Sequence, residues 1–172
     1  MTADVVIAGG GLAGAATALA LRRRGVGSVV VVDKAEFPRD KPCGEGLLPL
    51  GLDLLRALGL DDVVDECGGQ PFRGILYRCH GVVARGDFAD GATGRGLRRR
   101  LLDDKVRKRA QAAGAVFVRG TVTALDELDG LDGRADRCVV ALADGTRLEG
   151  RIVVGADGPR SLVRHGLGLD GG

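Results

Sequence analysis

Residues 9–14 read Gly9-Gly10-Gly11-Leu12-Ala13-Gly14, which satisfies the spacing G-x-G-x-x-G. The chemistry open to such a run belongs to main-chain amides rather than to side chains. Gly9 allows a tight turn, Gly11 lets backbone approach a pyrophosphate, and Gly14 lets a helix pack closely on a strand. The amides at Leu12 and Ala13 open a helix, whose free N–H groups and positive dipole end favour a phosphate. Asp33 lies 19 residues beyond Gly14. A carboxylate at that distance accepts hydrogen bonds from the adenosine ribose and repels a 2′-phosphate. The combination suits FAD or NAD better than NADP, and the fingerprint alone does not separate the first two.

These residues need a strand–turn–helix–strand frame, and the surrounding sequence supplies one. Asp4 to Ala8 is an apolar run of the length of a buried parallel strand. Leu12 to Arg24 is rich in Ala and Leu and reads as a helix, ended by Gly25 and Gly27. Val29 to Val32 is a second buried strand, so the whole is a βαβ unit with an expected right-handed crossover. Residues 34–46 are polar and carry Pro38, Pro42, Gly44 and Gly46, a loop of a length that is often functional. Pro49 suits the first turn of a helix that uses Leu54, Leu55 and Leu58 before Gly59. Two short strands, Gly74 to Cys79 and Val82 to Phe88, flank His80-Gly81. Residues 96–113 read as a helix with Leu102, Val106, Ala110 and Ala113 on one face. Val116 to Ala124 is a strand and Asp126 to Arg137 a loop. Cys138 to Leu142 and Thr146 to Val154 flank Ala143-Asp144-Gly145, a hairpin signal. No internal repeat and no interdomain linker is visible.

Composition narrows the class. The chain has 172 residues, 45% hydrophobic and 28% charged, enough for one domain with a core. A net charge of +2 and an aromatic content of 3% give no reason to expect nucleic acid. No apolar run is long enough to span a membrane, and the Arg22-Arg23-Arg24 cluster follows the first apolar segment rather than preceding it, unlike a secretory signal. Cys43, Cys67, Cys79 and Cys138 match no zinc spacing. Without an export signal the expected location is the cytoplasm, with reduced thiols. His80 and His165 are isolated, and no catalytic residue or metal ligand stands out.

Two later segments carry a family resemblance. Residues 154–164, Val-Gly-Ala-Asp-Gly-Pro-Arg-Ser-Leu-Val-Arg, resemble the GADGxxSxVR segment of flavin-dependent aromatic hydroxylases. Residues 37–48, Phe-Pro-Arg-Asp-Lys-Pro-Cys-Gly-Glu-Gly-Leu-Leu, resemble the FPRxKxCGExL loop of the geranylgeranyl-reductase-like branch. A related loop of flavin-dependent halogenases has Gly-Glu-Ser where this chain has Gly44-Glu45-Gly46, and Trp is absent, so that reading ranks low. Arg99-Arg100-Leu101-Leu102-Asp103 is similar to the RxxLD helix start of the same superfamily. The resemblance implies an α/β, Rossmann-like FAD/NAD(P)-binding domain over residues 1–172, a parallel sheet with a β-meander. Strands within 72–89 would belong to an incomplete substrate-domain sheet. It further implies FAD as cofactor, NAD(P)H as electron donor, and a small aromatic or isoprenoid substrate. Asp157 and Gly158 would lie near the FAD pyrophosphate, Arg99 would reach the phosphates, and Val122 would meet the adenine. The expected cofactor-contacting set is thus Gly9, Gly11, Leu12, Ala13, Gly14, Asp33, Lys34, Lys41, Cys43, Gly44, Arg99, Val122, Asp157 and Gly158. The other cations of the 96–113 helix, Arg107 among them, read mainly as a solvated basic face.

The family's further GD motif and most of its substrate domain are not visible in the 172 residues. The expectation is a shortened oxidoreductase chain. One alternative is a non-catalytic FAD-binding module, or half of a split enzyme completed by a second chain. Another is an NAD-dependent dehydrogenase, against which both resembling segments argue.

Overall fold

A computed structural model describes residues 1–129 and 135–169. In chain order the elements are β1 (Thr2–Ala8), α1 (Leu12–Arg23), β2 (Val29–Asp33), β3 (Gly46–Leu47), α2 (Pro49–Ala57), α3 (Asp61–Glu66), β4 (Pro71–Phe72), β5 (Gly74–Cys79), β6 (Val82–Asp87), β7 (Gly94–Gly96), α4 (Arg99–Ala112), β8 (Val116–Arg119), β9 (Val122–Asp129), β10 (Ala135–Leu142), β11 (Arg147–Gly155) and α5 (Leu162–Gly166). They form two compact units. One is Met1–Arg39 with Asp103–Gly172; the other is Asp40–Leu102, so the division falls inside α4.

The first unit is built on a six-stranded sheet of order β8-β2-β1-β11-β10-β9. The four strands from β8 to β11 run parallel, and β9, β10 and β11 form an antiparallel meander. The central strands are apolar because both faces are covered: Val5 to Ala8 and Val29 to Val32 are all buried. Val6, Val30 and Val32 join Val140, Leu142 and Leu148 in one apolar cluster, with Val118 and Val122 packed against it. Ala15, Ala18 and Leu19 of α1 are buried as well, and the small size of Gly14, Ala15 and Ala18 lets the helix lie close to β1 and β2. At the start of these strands the Asp4 carboxylate accepts hydrogen bonds from the Ser28 amide and hydroxyl at 2.8 and 3.0 Å. Those bonds, the backbone one foremost, hold its pKa below the ordinary aspartate range.

The expected strand over 116–124 is two strands. The Gly120 amide still donates to Asp33 on the β2 side, whereas Thr121 accepts from Ala143 on the far side of the sheet. Thus β8 and β9 are opposite edges of a six-strand sheet joined by two residues. Five interstrand spacings span roughly 24 Å, but three residue steps reach at most about 11 Å. The sheet therefore curls until its edges converge there, and the cluster around Val30, Val32, Val118 and Val122 fills the inside of the curl. The expected loop over 126–137 is mostly strand: β9 and β10 pair from Val122–Leu142 to Asp129–Ala135. Residues 130–134 lie outside the described residues. The Asp144-Gly145 turn joins β10 to β11, as its sequence predicts, and Gly145 N–H closes onto the Leu142 carbonyl at 3.0 Å. Helix α4 begins at Arg99, three residues later than the pattern suggests, because Gly94–Gly96 is taken up by β7.

In the second unit, β3, β7 and β4 form a small antiparallel sheet, and β5 and β6 form a hairpin of their own. Leu55, Leu60, Val63, Val64, Leu97 and Leu102 are its buried apolar side chains. Every residue of β6 is exposed.

Candidate functional site

In the first unit the fingerprint turn follows β1 at its carboxyl end, where the neighbouring strand on one side is β2 and on the other β11. That is the switch point of the topology, the place where open α/β sheets bind ligands. Gly9 has φ +100, and a Cβ there would overlap the Ala156 carbonyl; a Cβ on Gly14 would overlap the Gly9 carbonyl. Both positions therefore require glycine for contacts within the protein. Gly11 differs. Its backbone is extended as the N-cap of α1 (φ −68, ψ −171), it offers no side-chain cap, and the first turn of α1 carries no acidic residue. A Cβ on Gly11 would meet only Arg39 Nη2, at 3.5 Å. Gly11, Leu12 and Ala13 consequently present main-chain amides at a helix start with no carboxylate nearby on that helix. This is a cradle that a phosphate fits and that a Cβ at position 11 would fill.

Asp33 closes the other side of the turn. Its Oδ2 accepts from the Gly10 amide at 2.7 Å and its Oδ1 from the Ala35 amide at 2.8 Å. Two bonds leave lone pairs free on a carboxylate that can accept about four, so it remains able to take ribose hydroxyls. Lys34 follows it and is exposed.

The 154–164 segment comes off β11. Ala156 N–H donates to the Ala8 carbonyl at 2.7 Å, which brings this turn against Gly9. Asp157 spends its carboxylate on its own loop: Ser161 Oγ donates to Oδ1 at 2.5 Å and the Leu162 amide to Oδ2 at 2.7 Å. Ser161 in turn accepts from the Arg164 amide at 3.0 Å and caps α5. The Asp157 carboxylate thus fixes the turn, and Gly158, exposed at φ +91, is the residue that turn displays. Val122 pairs with Leu142 across β9 and β10 and packs against the apolar cluster.

In the second unit, Cys43, Gly44 and Arg99 come together. The Glu45 amide donates to Cys43 Sγ at 3.4 Å, Arg99 Nη1 lies 3.7 Å from the same sulfur, and the Arg99 amide donates to Glu45 Oε1 at 3.3 Å. The Leu97 amide donates to the Glu45 carbonyl at 2.7 Å. Glu45 adopts φ 53 to make these contacts, a left-handed conformation uncommon for a side-chain-bearing residue. The Glu45 amide, with Arg99 adding to it, holds the exposed Cys43 thiol below its ordinary range. The loop borders an open depression of about 450 Å³ lined by Gly44, Glu45, Cys67, Gly96 and Leu101. Lys41 is exposed in the same loop.

Two residues outside the expected set deserve a place beside it. Arg39 reaches the Gly11 turn, and Arg107 is half-buried between two phenylalanines rather than solvated. The FPR sequence at 37–39 draws notice only as a resemblance, and nothing in the spacing of α4 tells Arg107 from its basic neighbours.

Comparison with known proteins identifies the family. A family described as the FAD binding domain matches residues 2–171. The menaquinone reductase of Mycolicibacterium smegmatis is 37% identical over 96% of this chain and 40% of its own length. The rifampicin monooxygenase of Streptomyces venezuelae is 32% identical over 96% of this chain and 34% of its own. PqsL of Pseudomonas aeruginosa, solved with 2-aminobenzoylacetate, superposes with a TM-score of 0.79 at 28% identity, covering 100% of this chain and 47% of that one. The chain spans about two fifths of the length of the curated relatives it matches. The chain belongs to the FAD-binding-domain family.

Proposed function

We propose that this chain is the FAD-binding part of an NAD(P)H-dependent flavoprotein oxidoreductase of the geranylgeranyl-reductase-like or monooxygenase kind, working in the cytoplasm. The observation that carries the reading is the turn from Gly9 to Gly14, in which Gly9 and Gly14 are closed by contacts within the protein while a Cβ on Gly11 would meet only Arg39. The amides of Gly11, Leu12 and Ala13 hold the pyrophosphate, and Asp33 takes the ribose hydroxyls. Gly158 and the backbone of Val122 border the same cofactor, and Lys34 supplies positive charge to its phosphates. The family resemblance alone assigns Lys41, Cys43, Gly44 and Arg99 to the cofactor-contacting set. When bound, the flavin supplies the electron transfer, and the protein's part is to bind, orient and shield.

The substrate class is a small aromatic or isoprenoid molecule. The reductase-like loop at 37–48 and the name of the M. smegmatis relative together favour an isoprenoid quinone, reduced rather than hydroxylated. The hairpin of β5 and β6 we assign to a substrate-domain sheet. Its exposed Ile75, Leu76, Tyr77, Val82 and Val83 support this, since apolar strands are rarely left uncovered. No helix among the described residues is long and apolar enough to cross a membrane.

The test is a visible absorption spectrum of the purified chain after FAD is added and the excess removed by desalting. A retained flavin band is expected, and an Asp33→Ala variant should lose it. A colourless chain that binds NAD instead would sink the flavoprotein reading.

A further inference from the structure

We draw no further inference here: the strongest candidate, the uncharged face of the β5–β6 hairpin on which Ile75, Tyr77 and Val82 lie exposed, carries none because nothing in the structure shows what covers it.

Discussion

At the scale of single residues, the three glycines of the fingerprint do different work, and this can be separated. A methyl group on Gly14 must push the start of α1 off the Gly9 carbonyl. Overpacking of this kind costs about 3 kcal/mol, so Gly14→Ala should lower the melting temperature and with it everything the chain binds. A methyl group on Gly11 meets only the tip of Arg39 at an ordinary 3.5 Å, and its φ of −68 is open to alanine. Gly11→Ala should therefore cost about 1 kcal/mol or less, the difference between these residues at an N-cap. It should nonetheless weaken FAD by at least about 10-fold, because the methyl occupies the phosphate's approach. Fluorescence titration beside a thermal melt reads both; a Gly11→Ala chain with wild-type FAD affinity would show that the phosphate does not lie there. These glycines were legible in the sequence because their spacing is dictated by backbone geometry, which recurs wherever the turn does. Arg39 and Arg107 were not. Their packing depends on which rings they meet across Phe37 and Phe117, and such contacts exist only once the chain is folded. Asp157 was legible as part of a pattern, but the structure turns its carboxylate inward to Ser161 and Leu162, where it shapes the loop.

At the scale of elements, buried strands and helix punctuation were read well, and short or polar strands were not. Four consecutive valines leave β2 little choice, and the Asp-Gly turn after β10 closes as its residues require. By contrast, β9 and the start of β10 are rich in charge, since a meander at the edge of a curled sheet has one face in water. The break at Gly120-Thr121 was invisible because both sides of it are apolar and β-prone, and only the change of partner from Asp33 to Ala143 ends the strand. Elements of two or three residues such as β3, β4 and β7 have no periodicity to detect. A further element-level feature is Arg22 near the end of α1. Its Nε donates to the Ala113 carbonyl just past α4 at 2.9 Å, and its Nη1 donates to the Val26 and Gly27 carbonyls that lead into β2. One side chain thus ties the end of one helix to the exit of another. Arg22→Leu leaves these carbonyls without that donor and should cost about 2 kcal/mol, or roughly 4–8 °C in melting temperature for a chain of this size. Arg22→Lys should recover little, because a single ammonium cannot span three acceptors. A melting temperature unchanged within about 1 °C would show that water replaces the guanidinium at no loss.

For the molecule as a whole, stability should be distributed as burial is. In the first unit, β1 and β2 are buried on both faces by apolar side chains, and their amides can exchange with solvent only when the sheet opens. In the second unit, β5 and β6 pair only with each other, and β6 is exposed along its whole length. A two-stranded ribbon is marginal in water, so its amides should exchange through local opening, far faster than those of β1. Ligand linkage then sharpens the contrast. A cofactor that binds only the folded first unit stabilises it by about 2.7 kcal/mol at 100 times its dissociation constant. FAD at that level should therefore slow exchange in Val5–Ala8 and Val29–Val32 by roughly 100-fold, provided those amides exchange by full opening. The hairpin from Gly74 to Asp87 should keep its fast exchange, because its opening does not require the fingerprint turn to come apart. Hydrogen–deuterium exchange read by mass spectrometry, with and without FAD, resolves the two regions in one experiment. Hairpin amides that exchange as slowly as those of β1, and slow equally with FAD, would mean that the chain opens only as one cooperative body. Its local burial would then be a poor guide to its local stability.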